Sequence, residues 1–359
     1  MSNLKAIKTP NQQLNRKSVK KVFVAGTGAV GSTLINQIRE NSGNQPLDLI
    51  GVCNSKNVKW LKNGDTDLKY DDLRTAPSKN WKEITGKLTA FDRESVIFVD
   101  STGSPEVAKL YPELLQNGIH IVTPSKLANS QSQAYYDELQ TLAELNGTRF
   151  LFETNVGAGL PIIKTIKNLI ESGDEIHEIS GVLSGTMTFL FSELDKGELF
   201  SKSVIKARTL GYAEPDPRDD LSGEDVARKF LILARICGCK VERDEVDVES
   251  LIPNELKNVD SVSFLRKLPD FDKNWQNKIT TAVSGGKKLR YTGTFNRDGI
   301  KIGVEAVDQS SPTGRLTGTN NLITITTSRY NQQPLIIQGP GAGKNVTAAG
   351  ILSDILSIE

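Results

Sequence analysis

The sequence predicts an α/β chain in two parts: an N-terminal domain of alternating strands and helices, then an α+β domain in which that alternation breaks down. Three stretches carry this expectation. A glycine-rich turn over residues 26–31 joins an apolar run to a helical pattern. Strand patterns over residues 288–295, 300–307 and 321–328 follow one another without regular helical partners. Between these regions, residues 210–229 crowd together more ionisable groups than a surface loop needs.

Composition sets the bounds. A length of 359 residues suits two domains, and 24% charged with 37% hydrophobic residues is an ordinary globular balance. We expect residues 20–152 to form the first domain, completed by residues 339–359, and residues 153–338 the second. A net charge of +1 gives no reason to invoke nucleic acid or an acidic membrane surface. No apolar run has the length of a membrane span, and no apolar signal core opens the chain. Cys53, Cys237 and Cys239 lack zinc-ligand partners, and so sparse a set fits a reducing, cytoplasmic setting. With only His120 and His177 present, a histidine-based acid/base or metal site is disfavoured. Residues 1–19 carry Lys5, Lys8, Arg16 and Lys17 without an acid or Arg-rich periodicity, and read as a flexible tail.

In the first domain, an apolar strand from Lys21 leads into Gly26, Thr27, Gly28, Ala29, Val30 and Gly31, and then into a helix through Leu34, Ile35 and Ile38. This is the strand, turn and helix of a Rossmann dinucleotide-binding domain: the glycines permit the tight turn and the close approach of pyrophosphate, and the helix N-terminus offers free N–H groups. The second strand, 47–53, ends in Asn54, Ser55 and Lys56 with no acid to take ribose hydroxyls, which favours NADP over NAD, with dual use open. Residues 57–90 are poorly periodic and stay unassigned. A strand over 96–100 runs into Thr102, a candidate cofactor contact, and a helix over 105–117. The strand 120–122 ends in Thr123-Pro124-Ser125-Lys126, placing a lysine at a strand's carboxyl end toward the nicotinamide region. A helix through Tyr135, Leu139 and Leu142 and a strand over 149–153 complete the domain.

The second domain opens on residues 153–161, a strand end with two glycines. Its backbone carbonyls and the Glu153 carboxylate suit a hard monovalent cation, and a plain glycine-rich corner is the alternative. A helix over 162–172 and a strand over 176–183 precede Ser184-Gly185-Thr186, a turn that faces substrate or cofactor. In residues 210–229, Glu214, Asp216, Asp219, Asp220, Glu224 and Asp225 stand against Arg218, Arg228 and Lys229. Pro215 and Pro217 stiffen the arm into an extended form, and Ser222 with Asp225 fits a capping box for the next helix. Asp225 and Lys229, four apart, share one face of it. Such a density of carboxylates beside a lysine points to a pocket for a cation such as a substrate ammonium group; a solvated ion pair is the bland alternative. A second glycine-rich turn, 339–343, precedes a terminal helix over 346–356 and returns the chain to the dinucleotide.

Taken together these residues resemble the homoserine dehydrogenase family in its short monofunctional, fungal form. The resemblance runs from Lys21 to the C-terminus and is most specific in GYAEPDPRDDLSGEDVARK (211–229), ETNVGAGLP (153–161), LSGT (183–186), TPSK (123–126) and QGPGAG (338–343). Pro340 and Thr27 depart from the family's usual smaller residues. The resemblance implies reversible NAD(P)-dependent interconversion of L-homoserine and L-aspartate 4-semialdehyde, serving threonine, isoleucine and methionine biosynthesis, in a homodimer whose α+β catalytic and dimerisation domain has a mixed sheet. It makes Lys229 the proton donor, with Lys126 its partner near the cofactor and Asp220 orienting Lys229. Glu214 and Asp225 hold the substrate amine, Thr186, Tyr212 and Gly185 line the pocket, and Gly211 and Gly343 approach the cofactor. It also implies a sodium ion at Glu153 and the carbonyls of Val156, Ala158 and Leu160. No regulatory ACT-type domain or kinase fusion is expected in this length.

The chemistry suits this residue supply. Hydride addition to an aldehyde leaves an alkoxide that needs a nearby cation and a proton, and lysines supply both, the more so where burial and a second positive charge lower a lysine's pKa. A sugar or polyol oxidoreductase shares the first domain but usually adds a downstream histidine. A phosphorylating aldehyde dehydrogenase needs a well-placed cysteine. A nucleotide-sensing regulator would have no need of Lys126, Asp225 and Lys229 together.

Overall fold

The computed structural model describes residues 19–40, 47–62, 70–92 and 95–358. All but Val19 of the expected tail, and part of the unassigned stretch 57–90, lie outside them.

The first sheet contains β1 (Lys20–Ala25), β2 (Leu47–Cys53), β3 (Val58–Trp60), β4 (Val96–Asp100), β5 (His120–Val122) and β6 (Phe150–Leu151). Their order is β3-β2-β1-β4-β5-β6, parallel throughout except for the antiparallel β2/β3 pair. Helices cover both faces, which is why these strands read as unbroken apolar runs. Val22 and Val24 of β1 pack with Leu34, Ile35, Ile351 and Ile355 on one face, and Phe23 packs with Phe98, Tyr111 and Leu139 on the other. Because β2 and β4 flank β1 on opposite sides, the order reverses at β1, and a crevice opens beyond the carboxyl ends of β1 and β4.

The second sheet contains β7 (Ile176–Val182), β8 (Asp247–Val248), β9 (Lys287–Asn296), β10 (Gly299–Asp308), β11 (Asn320–Thr327) and β12 (Leu335–Pro340). The order is β12-β11-β7-β9-β10-β8, and the sheet is mixed because only β8/β10 is parallel. The terminal helix Lys344–Ser357 leaves this sheet and packs on the helix Ala29–Glu40, with Gln37 Nε2 donating to Asn345 O at 3.1 Å.

Local differences from the sequence reading have identifiable causes. The helix expected over 105–117 is broken into Pro105–Ala108 and Tyr111–Gln116: Pro112 has no N–H for Ala108 O, which accepts from Tyr135 Oη at 2.6 Å instead. The strand expected over 149–153 stops at Leu151, because the Glu153 N–H is drawn to the Asp354 carboxylate at 2.9 Å. Strand β12 continues through Gly339 and Pro340, so the boundary placed at 339 falls inside a strand; a proline is tolerated there on a sheet edge. The previously unassigned 57–90 supplies β3 and a helix, Trp81–Leu88, capped by Asn80.

Candidate active site

The glycine turn lies in the crevice beyond β1. Gly26 has φ +98, and a Cβ there would come within 2.8 Å of the Ser101 backbone beyond β4. A Cβ on Gly31 would come within 1.9 Å of Gly26 O, so the helix can sit this close to the strand only without a side chain. A Cβ on Gly28 would meet nothing within 4 Å, which leaves its backbone open to a ligand. The helix Ala29–Glu40 then begins with the unpaired N–H groups that attract phosphate. Backbone and helix end thus fit a dinucleotide. Ser55 and Lys56 are exposed beyond β2 on a turn held by Asn54 Oδ1, which accepts from Lys56 N at 2.8 Å and Asn57 N at 2.7 Å.

Beyond β4, a buried carboxylate not singled out from the sequence organises the loop. Asp100 Oδ1 accepts from Thr102 N at 2.8 Å and Thr102 Oγ1 at 2.6 Å, and Oδ2 accepts from Tyr111 Oη at 2.7 Å. Burial pushes its pKa up, against these hydrogen bonds. Thr102 is exposed beside the crevice, its hydroxyl proton already committed to Asp100.

The turn after β5 carries Lys126, and the helix Glu224–Ile236 carries Asp225 and Lys229. The three meet. Asp225 Oδ1 lies 3.2 Å from Lys126 Nζ, and Oδ2 lies 2.7 Å from Lys229 Nζ. Lys229 Nζ also donates to Leu183 O at 2.7 Å, and its side chain is only 10% exposed. Burial pushes the Lys126 pKa down, aided by the Lys229 and Arg228 charges and opposed by Asp225. Asp225 is itself held well below the usual carboxylate range: the two lysine charges outweigh the burial that would raise it.

A buried guanidinium explains why residues a hundred positions apart converge. Arg235, on the same helix as Lys229, donates to Asn129 O at 2.9 Å, Gln131 O at 2.7 Å and Val241 O at 2.8 Å, and pairs with Glu242 at 3.4 Å. From Asn129 the bonds continue through Asn155 to Thr123 O, each at 3.0 Å, reaching the turn that bears Lys126. Only its place on the helix, six residues after Lys229, could have pointed to it. At the helix start, Gly223 is the N-cap at φ +79, and a Cβ there would strike Tyr291 Oη at 2.0 Å. The capping box expected of Ser222 and Asp225 is not formed, because the Asp225 carboxylate turns to the lysines.

The acidic arm is bent: Pro217 is helical, at φ −61 and ψ −14, and starts the short helix Arg218–Leu221. Asp220, expected to orient Lys229, makes no hydrogen bond or ion pair with it among the described residues. Its Oδ1 lies 2.9 Å from Thr186 Oγ1 and its Oδ2 accepts from Glu214 N at 2.8 Å, while Thr186 Oγ1 lies 2.5 Å from Tyr212 O. Asp220 and Thr186 therefore fix the turn of Gly211, Tyr212 and Glu214, and Tyr212 rests on Phe189 with ring centroids 5.0 Å apart. Burial pushes the Asp220 pKa up. Asp216 is bound to Arg218 at 2.6 Å and Glu224 to Arg243, so both are engaged. Glu214 and Asp219 have no such partner among the described residues and line a cleft of about 570 Å³ with Ser184 and Asp225. Asp219 was not given a role from the sequence. Gly185 opens the adjoining helix Gly185–Asp195, capped by Ser184.

The turn at 153–161 serves the helix after it. Both oxygens of Glu153 accept backbone N–H groups, of Ile163 at 2.8 Å and Lys164 at 2.7 Å, and each oxygen keeps a second lone pair. Leu160 O accepts from Ile162 N at 2.9 Å, and Ala158 is the one non-glycine residue at positive φ among those described. Gly343 opens the terminal helix and is exposed.

A parallel sheet with a glycine turn at its switch point, beside a cleft where two lysines share a carboxylate, defines the class: a dinucleotide-binding α/β protein. Comparison with known proteins narrows it. The homoserine dehydrogenase family model matches residues 161–356, and that of the homoserine dehydrogenase NAD-binding domain matches residues 26–153. A homoserine dehydrogenase of Schizosaccharomyces pombe is 37% identical over 94% of this chain and 94% of its own length. A bifunctional aspartokinase/homoserine dehydrogenase of Haemophilus influenzae is 38% identical over 98% of this chain and 44% of its own. The chain thus spans less than half the length of the bifunctional relatives it matches. The crystal structure of a Candida auris protein of unknown function superposes with a TM-score of 0.88 at 36% identity, covering 94% of this chain and 98% of that one. The chain belongs to the homoserine dehydrogenase family.

Proposed function

We propose that this chain catalyses the reversible NAD(P)-dependent oxidation of L-homoserine to L-aspartate 4-semialdehyde. The observation that carries the reading is the triad of Lys126, Asp225 and Lys229, at 3.2 and 2.7 Å, beside a cleft lined by Glu214 and Asp219. The nicotinamide, when bound, accepts or returns the hydride. Lys229 takes the hydroxyl proton during oxidation and returns it during reduction, and Lys126 steadies the developing alkoxide. Asp225 holds the two amines together against their mutual repulsion, and Glu214 receives the substrate ammonium group.

The exposed Ser55 and Lys56, with no acid beside them, support NADP as the preferred cofactor. A monovalent cation, sodium by resemblance, belongs to this reading at Glu153 and the carbonyls of Val156, Ala158 and Leu160, and so do a homodimer and a cytoplasmic setting. An initial-rate assay at 340 nm with L-homoserine and NADP tests the activity. Homoserine-dependent reduction of the nucleotide is expected. A chain that binds NADP yet gives no rate in either direction would overturn the reading and leave a nucleotide sensor.

A further inference from the structure

Arg228 stands three residues after Asp225 and one before Lys229, so both basic residues lie one helical turn beyond Asp225. Its side chain is exposed and lines the acidic cleft with Glu214, Asp219 and Asp225. Yet among the described residues Arg228 forms no hydrogen bond, ion pair or ring contact. The other cations are engaged. Arg218 is bound by Asp216 and by Val259 O, both at 2.6 Å, and Lys126 and Lys229 share Asp225. Glu214 and Asp219 face the same cleft and are likewise unpaired. Among the described residues, one cleft therefore holds an unpaired guanidinium and unpaired carboxylates that do not neutralise each other. That is the charge complement of a zwitterion, with an ammonium at one end and a carboxylate at the other.

We propose that Arg228 recognises the α-carboxylate of the substrate and so makes the cleft selective for a free amino acid over an uncharged derivative. This rests on the activity proposed above and adds to it the residue that sets substrate class. A guanidinium suits the task because its planar fork matches both carboxylate oxygens and stays charged at any working pH. It also leaves the lysines to the reacting oxygen at the substrate's other end.

The test compares L-homoserine with its primary amide, which keeps the hydroxyl and ammonium groups but lacks the carboxylate. Initial rates with NADP are measured on the full chain, on Arg228→Gln and on Arg228→Lys. A charge-assisted hydrogen bond pair implies that Arg228→Gln raises KM for homoserine about 10- to 100-fold, with the loss in KM rather than kcat. KM for the amide should move less than about twofold, and Arg228→Lys should recover part of the homoserine affinity. Equal losses for both substrates would show Arg228 to be structural and overturn the proposal, as would an unchanged KM for homoserine. A wild-type chain that oxidises neither compound fails one step earlier: it overturns the parent activity, and this assignment with it, before any variant is compared.

Discussion

The nucleotide crevice and the acidic cleft are built by opposite means. In the crevice, Gly26, Gly28 and Gly31 act within six residues, and what matters is the absence of side chains: one close backbone approach, one tight turn and one open position. The cleft depends on side chains, and its alignment on some brought from afar, with Lys126 meeting Asp225 across about a hundred residues and Arg235 binding the carbonyls of Asn129 and Gln131. A backbone-built site is local and tolerant of distant change, whereas a side-chain-built site is only as good as the contacts that align it.

That contrast can be broken by substitution. The largest effect belongs to Lys229→Ala, which should lower kcat by about 10³-fold while dissociation of NADPH, followed by nucleotide fluorescence, stays within about twofold. Near-normal turnover would remove Lys229 from the chemistry. Next comes Arg235→Gln, at a buried position. It leaves the Asn129, Gln131 and Val241 carbonyls short of donors and should cost about 3 kcal/mol of stability by denaturant titration. It should also cost about 100-fold in kcat through misalignment of the lysines. Unaltered kcat in the folded fraction would mean that the lysines converge without it.

On the other side, Gly28→Ala adds a methyl group where none meets a neighbour. Unfolding temperature should hold, with nucleotide affinity falling about tenfold because the methyl group crowds the ligand. A lower unfolding temperature with unchanged affinity would show the position to be structural.

The smallest effect is a pH slope at the joint between the two regions. Burial pushes Glu153 up to about 7 and Asp354 up to about 6. An acid whose folded pKa is raised destabilises the fold once ionised. These groups therefore subtract nothing below their unfolded pKa values, near 4, and the loss grows as pH rises, complete above about 7. Glu153→Gln should flatten the fall in unfolding temperature between about pH 4.5 and 7. An unchanged slope would assign it to other groups.

The same contrast explains what could be read in advance. The first domain was legible because strand, glycine turn and helix follow one another in sequence, and buried parallel strands announce themselves as apolar runs. Lys126, Asp225 and Lys229 could be named from motifs, and Asp225 and Lys229 from helical spacing as well. What was not legible depends on partners far along the chain. Asp220 was read as an escort for Lys229, but folding presents it to Thr186 and the Glu214 amide. The Glu153 carboxylate also sits over the N-terminus of the helix Ile162–Glu171, a contact that its own spacing does not announce. Arg235 carries no local pattern, because it is defined largely by carbonyls about a hundred residues away, and Asp100 is tied locally to Thr102 but owes its second partner, Tyr111, to the fold.

The convergence of the two lysines on one reacting oxygen is tested most directly by a crystal structure with NADP and L-homoserine bound. Lys229 Nζ should lie within hydrogen-bond reach of the substrate hydroxyl, about 2.6–3.2 Å, with Lys126 on the same side of the nicotinamide and the ammonium group at Glu214. Lysines turned to bulk water, or a nicotinamide seated away from Asp225, would contradict it.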